Sequence, residues 1–360
     1  MEELSARARA LYSEELSSLV ALHESGMKTA AYTCGTFPPA ILAGLGLRPV
    51  RLPLMVSGAQ YGAGAGIVRE DVCPLVRELL TDVQSGLADT VVGMHTCDTT
   101  RRFFQESGRF TSLPVHQLQL PATTGNESLG FFRSQVDRLC TDMVLCGFSS
   151  GYDAGAAEEW HLATMEAAAL VKERMLTIPP LALQYILHLF RIADPKGLKA
   201  AIENLLDSSE VYNPKFVLLL SGSPVPPGDD TVSERVEQMG GSLIPVNCTG
   251  FQMFPDGVPD DFSPGELARQ YFNSMKCIRC RPNALTFRYL EEQVAHTGAD
   301  GLVFKCLKFC DLWFTEKVRV KEKISVPVLV LDTSFSKGES ERTGVRLESF
   351  IQSLEMKSYE

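Results

Sequence analysis

Ten cysteines are the residues of this sequence with the clearest chemical potential, and four of them directly follow apolar, strand-like segments. Cys34 and Cys97 follow the first and third of these segments, and Cys248 and Cys310 follow two others later in the chain. In parallel α/β sheets, ligands bind in the crevice beyond the carboxyl ends of the strands. We therefore expect these thiols to face a shared crevice.

Cys34, Cys97 and Cys310 are the predicted metal ligands. Cys97 and Cys310 are each followed by an acidic residue and a helix-like segment, and a helix N-terminus favours the thiolate that a metal binds. Three thiolates that converge from two domains suit an iron–sulfur cluster with one open coordination site. The alternative interpretation is that small residues fill crowded strand ends.

Three further cysteines stand in chemically suggestive positions. Cys73 begins a predicted helix and is a further candidate ligand. Cys277 and Cys280 form a C-x-x-C motif, a spacing typical of zinc, cluster or redox pairs, although no second pair matches it. Cys277 is therefore also a candidate metal ligand. Burial is the prediction for the remaining three, which are Cys140, Cys146 and Cys306.

His95 is the predicted catalytic residue because it lies two positions before Cys97, where an imidazole can donate a proton to a substrate. A solvated or internally bonded histidine is the alternative. Arg101 and Arg102 follow on the next helix and could contact a phosphate, but an ordinary surface ion pair is the favoured interpretation. The Gly-rich segment 58–66 lacks the Lys-Ser/Thr of a phosphate-binding loop, so we interpret it as a lid or a simple loop.

The composition indicates a soluble globular protein, with 45% hydrophobic and 22% charged residues. A formal net charge of −10 argues against nucleic acid or a membrane surface as partner, because both are polyanions. The first residues have the pattern of an amphipathic helix without the apolar core of a signal peptide. We expect a cytoplasmic protein, in which reducing conditions disfavour disulfides, so that metal binding, catalysis or burial must account for the cysteines.

Alternating strand-like and helical segments predict an α/β fold with two Rossmann-like (flavodoxin-like) parallel-sheet domains joined by a helical segment. The expected order is an N-terminal helix, an α/β domain with cluster ligands, a helical connector or cap, and a second α/β domain with cluster ligands. The corresponding boundaries are 1–26, 27–150, 151–212 and 213–360. The predicted strands are 27–33, 48–54, 90–96, 113–120, 216–220, 243–246, 301–305 and 328–331.

Five short motifs, in this order and spacing, give the chain a family resemblance. It resembles the superfamily of 2-hydroxyacyl-CoA dehydratases, class I benzoyl-CoA reductases and double-cubane-cluster reductases, from about residue 27 onward. Each motif is weak alone, but their order and spacing together are specific. The motifs are YTCGTFP at 32–38, DVCPLVR at 71–77, TCD at 96–98, LKFCD at 307–311, and VLDT at 330–333 with the following segment to 350.

The resemblance implies a 4Fe–4S cluster held by Cys34, Cys97 and Cys310, with the fourth iron position free. It implies an oxygen-sensitive lyase, a 2-hydroxyacyl-CoA dehydratase, or else a low-potential reductase, in either case acting on an acyl-CoA. It also implies a separate ATP-dependent activator that donates the electron, and a homo- or heterodimer with a related subunit. An open iron would act as a Lewis acid on a substrate oxygen, inside an apolar cleft that excludes water.

The motifs do not all indicate the same branch of the superfamily. The sequence around Cys310 resembles the dehydratase version, whereas the sequences around Cys248 and Cys277 resemble the double-cubane branch. In that branch six cysteines hold an 8Fe–9S cluster, and a homodimer reduces small molecules that are not CoA esters. A cysteine motif expected between Cys73 and Cys97 is absent here.

Other classes of protein stay open. The chain could be a non-catalytic, cluster-carrying partner subunit, a zinc protein that uses Cys277 and Cys280, or a binding protein without metal. The identity of the substrate, the choice between one and two cubanes, and the roles of Cys248, Cys280 and Cys306 also stay open.

Overall fold

The chain forms two four-stranded parallel sheets in a computed structural model that describes residues 2–54, 71–207, 211–335 and 340–357. The first sheet has the order β2-β1-β3-β4 and the second the order β6-β5-β7-β8. This confirms the predicted α/β class with two Rossmann-like sheets. The strands are β1 Thr29–Tyr32, β2 Arg48–Arg51, β3 Thr90–His95, β4 Val115–Gln119, β5 Val217–Gly222, β6 Ser242–Pro245, β7 Gly301–Leu307 and β8 Val328–Thr333.

Helices follow most strands, and the segment between the sheets is helical, as predicted. Pro180 and Pro195 each begin a helix there, because proline lacks only an N–H that the first turn leaves unused. The short helix Asp311–Phe314 follows Cys310 as predicted, whereas the short helix Lys317–Lys323 was not predicted. The helices are α1 Glu2–Glu24, α2 Pro39–Gly44, α3 Pro74–Gln84, α4 Asp98–Phe110, α5 Asn126–Leu145, α6 Ala154–Arg174, α7 Pro180–Leu189, α8 Pro195–Asp207, α9 Thr231–Gln238, α10 Pro264–Asn273, α11 Ala284–Thr297, α12 Asp311–Phe314, α13 Lys317–Lys323 and α14 Ser340–Lys357.

The inner strands β1, β3, β5 and β7 are buried almost throughout, because helices cover both faces of each sheet. The parallel register then brings the carboxyl ends of neighbouring strands side by side, as with Tyr32 opposite both Arg51 and Val92. The predicted Gly-rich segment 58–66 lies outside the described residues. Within the described ranges, no helix has both the length and the apolar character needed to cross a bilayer.

One segment of the second half packs on the first sheet. Helix α10 lies against α5 and α2, and the rings of Phe272 and Phe132 stack with centroids 5.7 Å apart. The backbone N–H of Arg281 donates to the carbonyl of Ala122 at 2.7 Å. Residues 264–281 therefore cover the first sheet, which brings the C-x-x-C motif to the loop after β1. The domain boundaries inferred above stay a prediction.

Glu78 on α3 gives the fold a testable pH dependence. Burial and the nearby charge of Asp82 raise the pKa of Glu78 from 4.5 to about 7. The folded chain then holds this proton more tightly than the unfolded chain, so its contribution to stability is present below about pH 4.5 and is lost as the pH rises through about 7. Glu78→Gln cannot ionise, and we expect it to be more stable than the wild type by about 2 kcal/mol at pH 8.

Urea unfolding at pH 5 and at pH 8 measures this difference. Glu292→Gln, at an exposed position of α11, controls for the loss of one charge. An equal effect of Glu78→Gln at both pH values would contradict the expectation.

Candidate metal centre

A cavity of about 140 Å³, here called the inner cavity, lies between the carboxyl ends of the two sheets. A second cavity of about 340 Å³, the outer cavity, adjoins it and shares Cys97 and Cys310 with it. Cys73 lines the outer cavity. The five cysteines of the inner cavity are Cys34, Cys97, Cys248, Cys277 and Cys310. All five predicted metal ligands therefore line one or both cavities, and Cys248 joins them.

Cys73, Cys97 and Cys310 form one electrostatic group. Burial, together with the nearby charges of Cys310 and Cys97, raises the pKa of the Cys73 thiol to about 12. Burial also raises the pKa of Cys310, with a contribution from Cys97. We call these three residues the Cys73 group.

Cys34, Cys248 and Cys277 form the second group, called the Cys34 group. Burial raises the pKa of Cys277 well above its ordinary value, and the charges of Cys34, Cys280 and Cys248 add to this effect. Burial likewise raises the pKa of Cys34, although the backbone N–H of Thr36 donates to its sulfur at 3.5 Å. The predicted ligands Cys34, Cys97 and Cys310 thus share the inner cavity but belong to different groups. Their joint ligation of one cluster stays a prediction.

Local structure fixes the Cys73 group. Cys73 and Cys97 each precede a helix of more than ten residues, where unpaired backbone N–H groups favour a thiolate. Thr100 on the first turn of α4 accepts a hydrogen bond from the backbone N–H of Cys97 at 3.1 Å. Phe309, with φ of 60°, adopts the left-handed conformation directly before Cys310 and turns the chain from β7 into α12. A non-glycine residue in this region is typical of constrained functional loops.

The C-x-x-C motif is divided between two environments. Cys277 lines the inner cavity, whereas the Cys280 thiol is buried in the core and donates to the carbonyl of Met275 at 3.2 Å. Of the two thiols of the motif, Cys277 is therefore the one that faces the inner cavity. Among the cysteines predicted to be buried, Cys306 is buried and Cys140 is half-buried. The prediction was wrong for Cys146, which is exposed because it ends α5 in a surface turn.

His95 lines the outer cavity together with the Cys73 group. Its Nε2 lies 2.9 Å from Oε1 of Gln117, and its ring stacks on Phe104 with centroids 5.2 Å apart. These contacts hold the imidazole in one orientation, and its catalytic role stays a prediction. Arg101 pairs with Asp98 at 2.8 Å, which confirms the favoured interpretation as a surface ion pair.

The thiols and the charges that line the inner cavity suit a thiolate-bound cluster. In the part of the chain that the structure describes, no three His, Cys, Asp or Glu side chains are close enough to hold one ion. In a cluster, each thiolate binds a different iron, so its ligands stand farther apart. The inner cavity is also lined by three cations, Arg51, Lys276 and Arg279, and by no carboxylate among the described residues. This positive lining suits a thiolate-bound cluster, which is anionic.

Arg51, Lys276 and Gln252 also line this cavity, and they were not predicted from the sequence. A signal was available for Arg51, because it interrupts the apolar segment 48–54 at the point where the strand ends. None was available for Lys276, whose place depends on how α10 packs on the first sheet.

Comparisons with known proteins point to one family. A sequence model of the family described as 2-hydroxyglutaryl-CoA dehydratase, D-component, matches residues 34–147 and 155–354, which include all six cysteines of both groups. A protein of Escherichia coli strain K12, named as the dehydratase subunit YjiM, is 22% identical over 322 residues, 84% of this chain and 80% of that protein. A mutant of the laminin-binding adhesin Lmb of Streptococcus agalactiae aligns with 91% of this chain and 100% of its own at 13% identity, but its TM-score of 0.22 supports no inference.

Proposed function

The chain belongs to the family of the 2-hydroxyglutaryl-CoA dehydratase D-component, and from this premise we propose that it is the iron–sulfur subunit of a dehydratase-like or benzoyl-CoA-reductase-like enzyme that acts on an acyl-CoA. The observation that carries the proposal is the convergence of six cysteines, from both sheets, on two adjoining cavities. Members of this family generally carry iron–sulfur clusters and work with a partner component. A separate ATP-dependent activator would supply the electron to this chain.

Cys34, Cys97 and Cys310 would hold a 4Fe–4S cluster in the inner cavity. When bound, the cluster supplies a low-potential electron and an open Lewis-acidic iron. The apolar side chains that line the cavity exclude water from it, among them Leu52, Leu75, Leu312 and Trp313. His95 is the residue proposed to move a proton: with Nε2 held by Gln117, its Nδ1 is the nitrogen left to accept one.

A second candidate is a homodimeric reductase of small molecules that holds an 8Fe–9S double cubane. The presence of six thiols, rather than three, on the two adjoining cavities favours it. A single cubane on Cys34, Cys97 and Cys310 would leave half of these thiols unused. A cluster-carrying subunit without catalysis of its own is the third form of the proposal.

Iron and sulfide counts on anaerobically purified protein, with EPR spectra after dithionite reduction, test the proposal. About four irons per chain would support the dehydratase-like subunit, and about eight irons with about nine sulfides would support the double cubane. An EPR signal that changes when an acyl-CoA is added indicates an open iron site, whereas an unchanged signal indicates a carrier. A folded, iron-free protein would contradict all three forms.

A further inference from the structure

Arg51 places a buried guanidinium against the inner cavity. It is the last residue of β2, it is only 3% exposed, and it lies opposite Tyr32 in the register of the first sheet. Its Nη2 lies close to Gly35: a Cβ added to Gly35 would be 3.0 Å from this nitrogen. Glycine therefore leaves room for the guanidinium beside Cys34.

Among the described residues, the guanidinium of Arg51 has few hydrogen-bond partners. Its Nη1 points at the sulfur of Met253 at 3.6 Å, a weak acceptor, and its Nε is buried without a partner. No carboxylate of the described residues lines the cavity beside it. A buried cation without a counter-charge is costly, so this site is incomplete without an anion.

The other two cations of the cavity already have partners. Lys276 pairs with Asp256 at 2.5 Å, and Arg279 donates to the carbonyl of Leu120 at 3.1 Å. Arg191, buried behind Arg51, donates to the Arg51 carbonyl at 3.4 Å and has the buried carboxylate of Asp82 nearby as its own counter-charge. Of the three cations that line the inner cavity, Arg51 is therefore the one whose guanidinium has no carboxylate or carbonyl partner among the described residues.

We propose that Arg51 is the anion-binding residue of the inner cavity and that it binds the carboxylate of a small ligand beside Cys34. The planar fork of a guanidinium matches the two oxygens of a carboxylate. This inference rests on the proposed function, because it assumes that a substrate binds in the cavity. It adds that the substrate carries a carboxylate.

A competing role for Arg51 is to stabilise only the Cys34 thiolate. The two roles differ in one measurable respect. A thiolate partner accelerates every alkylating reagent at Cys34 equally, whereas an anion site favours a reagent that carries a carboxylate. Iodoacetate and iodoacetamide form the same S–C bond and release the same iodide, and they differ only in carboxylate against amide.

The experiment alkylates the iron-free, full-length protein with each reagent and reads the rate at every cysteine by peptide mass spectrometry. Exposed Cys146 is the internal reference. We expect the iodoacetate-to-iodoacetamide rate ratio at Cys34 to exceed that at Cys146 by about tenfold, as for one charge-assisted contact. Arg51→Met should abolish this preference, and Arg51→Lys should retain part of it. Arg109→Met, at an exposed position of α4, removes the same charge and should leave the ratio unchanged.

Three results would overturn the proposal: equal slowing of both reagents in Arg51→Met, an unchanged ratio in that variant, or a Cys34 that neither reagent reaches. Near-UV circular dichroism establishes that each variant is folded. If Arg51→Met does not fold, wild-type protein suffices. Sodium acetate, at constant ionic strength, should then slow iodoacetamide at Cys34 and not at Cys146. The alkylation experiment uses iron-free protein, so its result does not depend on whether the chain binds a cluster. A negative result would therefore contradict the role of Arg51 without contradicting the proposed cluster.

Discussion

Cys97→Ser should reduce the iron content of the anaerobically prepared protein to less than about one atom per chain, the largest effect we expect from a single thiol. Cys97 lines both cavities and belongs to the Cys73 group, so every arrangement of ligands that we propose includes it. Serine keeps the size of the side chain but is a poor iron ligand. Cys146→Ser, at an exposed position, is the matched control and should retain all of its iron. Normal iron in folded Cys97→Ser would contradict both cluster proposals.

The iron contents of two variants in the C-x-x-C motif then distinguish a single cubane from a double cubane. Cys277→Ser removes a thiol that lines the inner cavity, whereas Cys280→Ser changes a core thiol three residues away. For a single cubane on Cys34, Cys97 and Cys310, neither variant loses iron. For a double cubane, Cys277→Ser loses at least about half of the iron and Cys280→Ser loses none.

The strand-end cysteines could be predicted from the sequence because their position depends on local pattern. An apolar segment followed by a thiol, an acidic residue and a helix places Cys97 and Cys310 at the crevice whatever the rest of the chain does. The four strands of each half were predicted for the same reason. In each case, the residues next to one another in the sequence are enough to predict the strand and the residue that follows it.

The grouping of the thiols could not be predicted because it depends on long-range packing. Cys277 meets Cys34 only because α10 leaves the second half and packs on α5, through Phe272 and Phe132. An amphipathic helix has the same sequence pattern whichever sheet it covers. The error at Cys146 has a similar origin, since a thiol just past a helix end is buried or exposed according to the turn that follows.

Gly222→Ala should destabilise the protein by about 4 kcal/mol, through backbone strain and a collision together. Gly222 ends β5 with φ of 103°, in the left-handed region that alanine adopts only at a cost. In addition, a Cβ there would collide with the carbonyl oxygen of Lys305 on the neighbouring strand β7. Since that oxygen belongs to the backbone of a buried strand, it cannot move aside without shifting the sheet.

Gly26→Ala separates the two contributions, because Gly26 has nearly the same φ, 102°, with no atom within 4 Å of the added Cβ. Its cost should be that of the backbone conformation alone, about 1 kcal/mol, as measured by urea unfolding. The difference between the variants is then the cost of separating β5 from β7. An adjacent contact positions the proposed cluster ligand Cys310, because Ser223 accepts a hydrogen bond from the N–H of Leu307, three residues before Cys310. We therefore expect Gly222→Ala, and not Gly26→Ala, to lose iron as well as stability, whereas equal losses of stability would show that the close approach of the strands is not needed.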